Sequence, residues 1–246
     1  MNSFFLFFFF FPFLLSSFNT IIILLSMLKI TVNTGQSTHD LGHIICLGQN
    51  YKRHAKEMGS EPPDIPYFFY KPLSSVIFPG RKIVLPPMSK KVHHEVELGI
   101  LIGKQGKDIL PENALEHIDG YCIVLDITAR DLQSKAKQRR GPFDIAKSFD
   151  TFAPLSDFVP SSSVSDPNSL PLKLWVNGEL RQDSNTSDMI FNVQEQISFL
   201  SQILTLNPGD LIATGTPEGV GEIVDGDVIT AEIEGIGRIE YPVVRK

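Results

Sequence analysis

Val92-His93-His94-Glu95-Val96-Glu97-Leu98-Gly99-Ile100-Leu101-Ile102 is the stretch on which the fold turns. Val96, Leu98, Ile100 and Ile102 alternate with Glu95, Glu97 and Gly99. A period of two is that of a strand with two chemically different faces. Working outward, the strand signature recurs at short intervals. Tyr121–Leu125 is a fully apolar run, as in a buried strand. Ile44–Gly48, Tyr67–Tyr70 and Lys82–Leu85 precede the central stretch, and Leu211–Ala213, Val228–Ile233 and Ile239–Val244 follow it. Leu172–Val176 and Glu179–Gln182 flank Asn177-Gly178, whose residues suit a type I′ hairpin turn.

Helical signals are fewer. Tyr51–Met58 has helical spacing and ends at Gly59. A short helix is expected from Asp108 and Pro111 to Ile118, closed by Gly120. Ala129–Arg140 is expected to be helical and to stop at Gly141-Pro142. Asn192 and Glu195 form a capping-box pattern ahead of a face made by Val193, Ile197, Leu200 and Leu204. Many short strands with few helices predict a mixed α+β, β-rich domain rather than a doubly wound fold.

The chain has 246 residues, 42% of them hydrophobic, enough for one well-buried domain. Its net charge of −6 supplies no basic face for phosphates, so nucleic acid is not an expected partner. The dense basic stretch Lys135–Arg140 reads as a solvated helix face or mobile loop. Cys46 and Cys122 sit in apolar runs and read as buried free thiols in a reducing compartment. Residues 1–28 carry no charged side chain, and half of the 18 phenylalanines fall in the first 18 positions. A signal peptide, a membrane span, a presequence and an extraneous extension ahead of Met27 compete there. The first three fit poorly, since a basic n-region is missing, Pro12 and polar residues interrupt the span, and arginine is absent, so the extension ahead of Met27 is the favoured reading. The expected organisation is a hydrophobic N-terminal extension over 1–40, outside the fold, and a catalytic domain over 41–246, with no membrane partner.

On a strand, Glu95 and Glu97 point to one side, about 7 Å apart. Two carboxylates so placed repel unless a cation lies between them. Asp126, at the end of the apolar run Tyr121–Leu125, is a third candidate. Three oxygen ligands without a thiolate suit a hard cation such as Mg2+. The alternative is that both glutamates are the wet face of an edge strand. His93 and His94 do not form the helical His-Glu-x-x-His zinc pattern, and one of them is expected to support the loop by hydrogen bonding.

A set of motifs occurs in order: Gly48-Gln49-Asn50-Tyr51 with His54, Lys71-Pro72, His94-Glu95-Val96-Glu97-Leu98-Gly99, Leu125-Asp126-Ile127-Thr128-Ala129-Arg130-Asp131, Ala146-Lys147-Ser148-Phe149 and Thr214-Gly215-Thr216-Pro217-Glu218-Gly219-Val220-Gly221. Over roughly residues 42–245 it resembles the fumarylacetoacetate hydrolase-domain family, nearest its acylpyruvase and oxaloacetate-decarboxylase branch. The resemblance implies a fumarylacetoacetate hydrolase-like β-sandwich roll with short peripheral helices. It also implies Mg2+ or Mn2+ on Glu95, Glu97 and Asp126, and a homodimer in mitochondria or cytosol. The implied activity is cleavage of a C–C bond in a small 2-oxo acid, as an acylpyruvate hydrolase or oxaloacetate decarboxylase. Oxaloacetate keto–enol tautomerisation on the same site, or a non-catalytic binding role, are the alternatives.

The same resemblance makes Lys147 the active-site lysine and His54 with Glu57 a base and its orienting carboxylate on a substrate-ordered lid. Arg130, Gln133 and Thr216 would contact substrate oxygens. Spacing alone leaves a surface lysine, a solvated His54–Glu57 pair and an Arg130–Asp131 ion pair open. The glycine-rich turn around Thr216 lacks the Gly-Lys-Ser/Thr ending of a nucleotide loop. Gln49 stands where the branch often has arginine, and Phe143 where tryptophan is common, so substrate choice departs from the pattern first.

Overall fold

The computed structural model describes residues 29–246, so the competing readings of residues 1–28 lie outside the described residues. The strands are β1 Thr31–Asn33, β2 Thr38–Asp40, β3 Ile44–Gly48, β4 Tyr67–Lys71, β5 Val76–Ile77, β6 Ile83–Leu85, β7 Val92–His94, β8 Val96–Ile102, β9 Ile118–Leu125, β10 Thr128–Ala129, β11 Ala153–Pro154, β12 Val159–Pro160, β13 Pro171–Val176, β14 Glu179–Asn185, β15 Leu211–Ala213, β16 Gly221–Ile223, β17 Val228–Ile233 and β18 Gly237–Arg245. Among the described residues three α-helices accompany them, α1 Lys52–Glu57, α2 Arg130–Gln138 and α3 Val193–Ile203, with short 3-10 turns such as Pro111–His117. The architecture is the mixed, β-rich one expected. Among the described residues no helix is long and apolar enough to cross a membrane.

Two sheets enclose the main core. One has the order β12-β9-β8-β15-β3-β4, the other β14-β13-β17-β18-β6. Period-two alternation builds the interface between them. Leu172, Leu174 and Val176 of β13 and Ile229, Ala231 and Ile233 of β17 share one buried cluster with Val96, Leu98, Ile100 and Ile102 of β8. At about 25 cal/mol per Å2, full burial of each of these aliphatic side chains contributes roughly 1.5–3 kcal/mol before entropy is counted. The predicted hairpin forms with Asn177 and Gly178 at φ 53° and 79°, the positive values a type I′ turn requires. The capping box opens α3, Asn192 and Glu195 each accepting from the other's backbone N–H.

Three expectations are corrected. β8 is flanked by β9 and β15, and all seven of its residues are buried, so Glu97 is on no wet edge. The continuous strand predicted for Val92–Ile102 breaks at Glu95, because β7 pairs with β10 and β16 while β8 pairs with β9 and β15. Gly120 ends no helix and lies inside β9, which begins at Ile118.

The boundary at residue 40 also differs from what the structure shows. β1 and β2 pair as an antiparallel hairpin, Val32 is buried, and the side chains of Thr34, Ser37 and His39 all converge on Asp119 Oδ2. The charge-assisted bonds hold the Asp119 carboxyl below its usual range against the opposing effect of its partial burial. Asp119→Ala should therefore raise amide hydrogen exchange over residues 31–40 about tenfold, with the exchange of β8 and β9 unchanged. Mass spectrometry of exchanging protein checks this, and uniform change across the chain would contradict the anchor.

Candidate active site

Strand ends gather the site. β8 runs antiparallel to β9 and β15, and β15 runs parallel to β3. The start of β8 thus meets the ends of β9, β15 and β3 on one side of the sheet. Glu95 and Glu97 come from the first of these, Asp126 from the second, Thr216 from the third, and Gln49 with α1 from the last. Asp126 N–H donates to Glu95 O at 2.9 Å, which fixes the two acids side by side. One carboxylate oxygen from each of Glu95, Glu97 and Asp126 lies within 4.8 Å of the others, and all three residues are buried.

The cations around this triad are equally buried. Lys147 follows a 3-10 turn, Asp144–Ala146, and its Nζ donates to Glu95 Oε2 at 3.0 Å, to Thr128 Oγ1 at 2.7 Å and to Asp126 Oδ2. Arg130, the first residue of α2, donates from Nη2 to Glu95 Oε1 and from Nη1 to Gln133 Oε1 at 2.6 Å. The alternative Arg130–Asp131 pair does not form, since Asp131 accepts from Ser89 Oγ and Lys90 N–H. Lys71, which sequence reading left without a role, is completely buried and donates to Asp126 Oδ1 at 2.6 Å.

Charge and burial oppose one another here. Burial would raise the Glu95 carboxyl, yet Lys147 and Arg130 hold it well below the usual range. Burial would lower the Lys147 ammonium, and Asp126 with Glu95 raises it instead. Glu97 is pushed up by burial and then by the charges of Asp126 and Glu95. Its carboxylate accepts only the Gly215 N–H, at 2.9 Å, among the described residues. A buried acid beside two others, without a cation of its own, is what a divalent ion would relieve. With oxygen donors alone, the set fits a hard cation.

His54 sits on α1, 5% exposed, and lines the same cleft. Its Nδ1 donates to Glu57 Oε2 at 3.2 Å, which leaves Nε2 as the basic nitrogen. Glu57 Oε1 accepts from Gly219 N–H at 3.1 Å. The two side chains that the resemblance pairs as base and orienting carboxylate thus lie within hydrogen-bonding distance. The cleft is lined by Gln49, His54, Glu95, Glu97, Asp126, Arg130, Gln133, Lys147 and Thr216, and Glu57 stands behind His54. Lys137, Phe69 and Phe143 also line it. The Lys135–Arg140 stretch is the solvated face expected, with the exposed Lys137 also reaching the cleft.

Thr216 lines the cleft, and its hydroxyl donates to Val96 O and accepts from Gln182 Nε2, both at 2.9 Å. Gln182 is a buried hub that sequence reading missed. It accepts from His94 Nδ1 and Val96 N–H, both at 3.1 Å, and donates to Pro217 O at 3.0 Å. Burial keeps His94 neutral, its pKa lowered to about 4, and it supports the loop as expected of one of the two histidines. The turn that follows β15 needs glycine at 215, where φ is +94° and a Cβ would meet Asn50 Cβ at 2.7 Å.

The sequence profile described as "Fumarylacetoacetate (FAA) hydrolase C-terminal" matches residues 43–244. Among curated proteins, the chain is similar to the mitochondrial oxaloacetate decarboxylase of Dictyostelium discoideum, with 46% identity over 78% of this chain and 89% of that one. It is similar to the mitochondrial oxaloacetate tautomerase FAHD1 of Arabidopsis thaliana, with 46% identity over 82% of this chain and 91% of that one. Among solved structures, fumarylpyruvate hydrolase from Pseudomonas aeruginosa, in complex with Mn2+ and pyruvate, superposes with a TM-score of 0.84 at 38% identity, covering 89% of this chain and 96% of that one.

Replacing Gln182 with leucine strands a buried histidine nitrogen, the Val96 N–H and the Pro217 carbonyl at once. The expected loss is about 2–4 kcal/mol of stability, read as a lower urea midpoint at unchanged slope. A midpoint equal to that of the wild type would remove Gln182 as the hub.

Proposed function

The chain belongs to the fumarylacetoacetate hydrolase family, and from that premise we propose that it cleaves a C–C bond in a small 2-oxo acid with the help of Mg2+ or Mn2+. The observation that carries this reading is the buried convergence of Glu95, Glu97 and Asp126 within 4.8 Å. The relatives named as oxaloacetate decarboxylase and fumarylpyruvate hydrolase support the substrate class.

Glu95, Glu97 and Asp126 would hold the cation. When bound, the ion supplies Lewis acidity to the 2-oxo oxygen and neighbouring carboxylate of the substrate. Lys147 places its ammonium on the edge of the same triad, where it lowers the energy of negative charge developing on the substrate. His54 removes a proton through Nε2, from water for hydrolysis or from carbon for enolisation, and Glu57 stabilises the resulting imidazolium. Arg130 and Gln133, already bonded to each other, present N–H groups to substrate oxygens from the first turn of α2. Thr216, which lines the cleft beside the triad and is braced by Val96 and Gln182, contacts the substrate carboxylate.

Hydrolysis of an acylpyruvate and decarboxylation of oxaloacetate share the need to stabilise an enolate, and only hydrolysis needs the activated water. The relative named oxaloacetate tautomerase favours a second reading on the same residues, in which His54 only moves a proton between carbon and oxygen. A mitochondrial location, supported by the names of the relatives, and a homodimer belong to the same proposal.

In a test with acetylpyruvate and oxaloacetate, Mg2+ should be required for turnover. Glu95→Ala should lower turnover about a hundredfold or more while circular dichroism stays unchanged. The same variant should lose the rise in melting temperature that Mn2+ gives the wild type. Full activity in Glu95→Ala would refute the site. Enol–keto exchange of oxaloacetate without pyruvate formation would select the tautomerase reading.

A further inference from the structure

One wall of the cleft is built of two aromatic rings between two ammonium groups. Lys147 Nζ lies 4.8 Å from the centroid of the Phe69 ring. The Phe69 and Phe143 centroids are 5.5 Å apart in an edge-on arrangement. Lys137 Nζ then lies 5.9 Å from the Phe143 centroid. Lys147 is at the acidic triad, and Lys137 is at the opposite end of the wall. All four residues line the same cleft.

The helix explains how Lys137 arrives there. Arg130, Gln133 and Lys137 are three and four residues apart, so they share one face of α2. Seven residues carry that face about 10 Å along the axis. Arg130 and Gln133 are turned to the triad, and Lys137 continues the row towards the mouth. Among the described residues, Lys137 has no carboxylate partner, whereas Arg130 is paired with Glu95 and Lys147 with Glu95 and Asp126. Desolvation of its ammonium against the cleft wall and the nearby charges of Arg130 and Lys147 lower its pKa, and Glu95 opposes them in part.

An unpaired cation at the far end of an apolar wall fits a substrate with a second negative charge at its far end. We propose that Lys137 is a specificity-determining residue, which binds the distal carboxylate of a dicarboxylic 2-oxo acid lying along Phe69 and Phe143. The assignment rests on the reading that the 2-oxo end of the substrate sits at Glu95, Glu97 and Asp126. It adds that chain length and a terminal carboxylate, several carbons away, are selected by this side chain.

The test uses binding, which proceeds whether or not the ligand is cleaved. Calorimetric titration of the Mn2+-loaded protein with 2-oxoadipate and with 2-oxohexanoate compares two six-carbon 2-oxo acids that differ by the terminal carboxylate. Wild type should bind 2-oxoadipate about tenfold more tightly, roughly one charge-assisted contact. Lys137→Met should bring the two within about twofold by weakening 2-oxoadipate alone, and Lys137→Arg should keep most of the preference. Equal binding of the two acids by wild type, or an undiminished preference in Lys137→Met, overturns the assignment. If neither acid binds, the 2-oxo acid site falls and the Lys137 assignment falls with it. If the preference holds while no C–C cleavage or tautomerisation is found, the catalytic reading fails and the assignment of Lys137 stands.

Discussion

Three carboxylates brought together away from water cannot all stay charged without cations among them. Removing one such ion from water costs several kcal/mol even after relaxation. The fold offsets that cost with side chains from three separate elements. Lys71 comes from the end of β4, Arg130 from the start of α2, and Lys147 from the loop after α2, and each donates to Glu95 or Asp126. Glu97 is left with a backbone amide alone. The arrangement is balanced at two of its acids and unbalanced at the third, as suits a protein that leaves room for a divalent ion. The pairing of β8 with β9 makes this possible, because Asp126 follows β9 at the point where Glu95 precedes β8.

Much of this was legible in the sequence. The alternation in Val96–Ile102, the apolar run before Asp126 and the Asn177-Gly178 turn are local signals, and local signals set strands and hairpins. The parity of Glu95 and Glu97 placed them on one side, and a position just past a buried strand placed Asp126 on a rigid base. The strand break at Glu95 was not legible, because it depends on which sheet each half joins. The wet-edge alternative failed for the same reason: whether a strand is central depends on partners from residues 118–125 and 211–213.

Lys71 and Gln182 escaped because their partners are remote. Lys71 meets Asp126 across 55 positions, and Gln182 meets His94 across 88. Gln182 stands in an otherwise exposed strand, β14, and is buried only because the Thr214–Gly221 turn and β7 close over it. Lys137 did carry a signal. Its spacing from Arg130 and Gln133 put it on the cleft-facing side of α2, but its place in a basic run argued for solvent. The N-terminal hairpin shows a similar conflict: the sequence of residues 31–40 is polar and short, and Asp119 supplies the reason it packs.

The central claim is that Glu95, Glu97 and Asp126 together hold one divalent ion. Anomalous X-ray scattering from crystals grown with Mn2+ tests it most directly. The account predicts a single strong manganese peak in coordinating contact with oxygens of all three carboxylates. Crystals saturated with Mn2+ that show no peak there, with the Lys147 ammonium unchanged against Glu95 and Asp126, would contradict it.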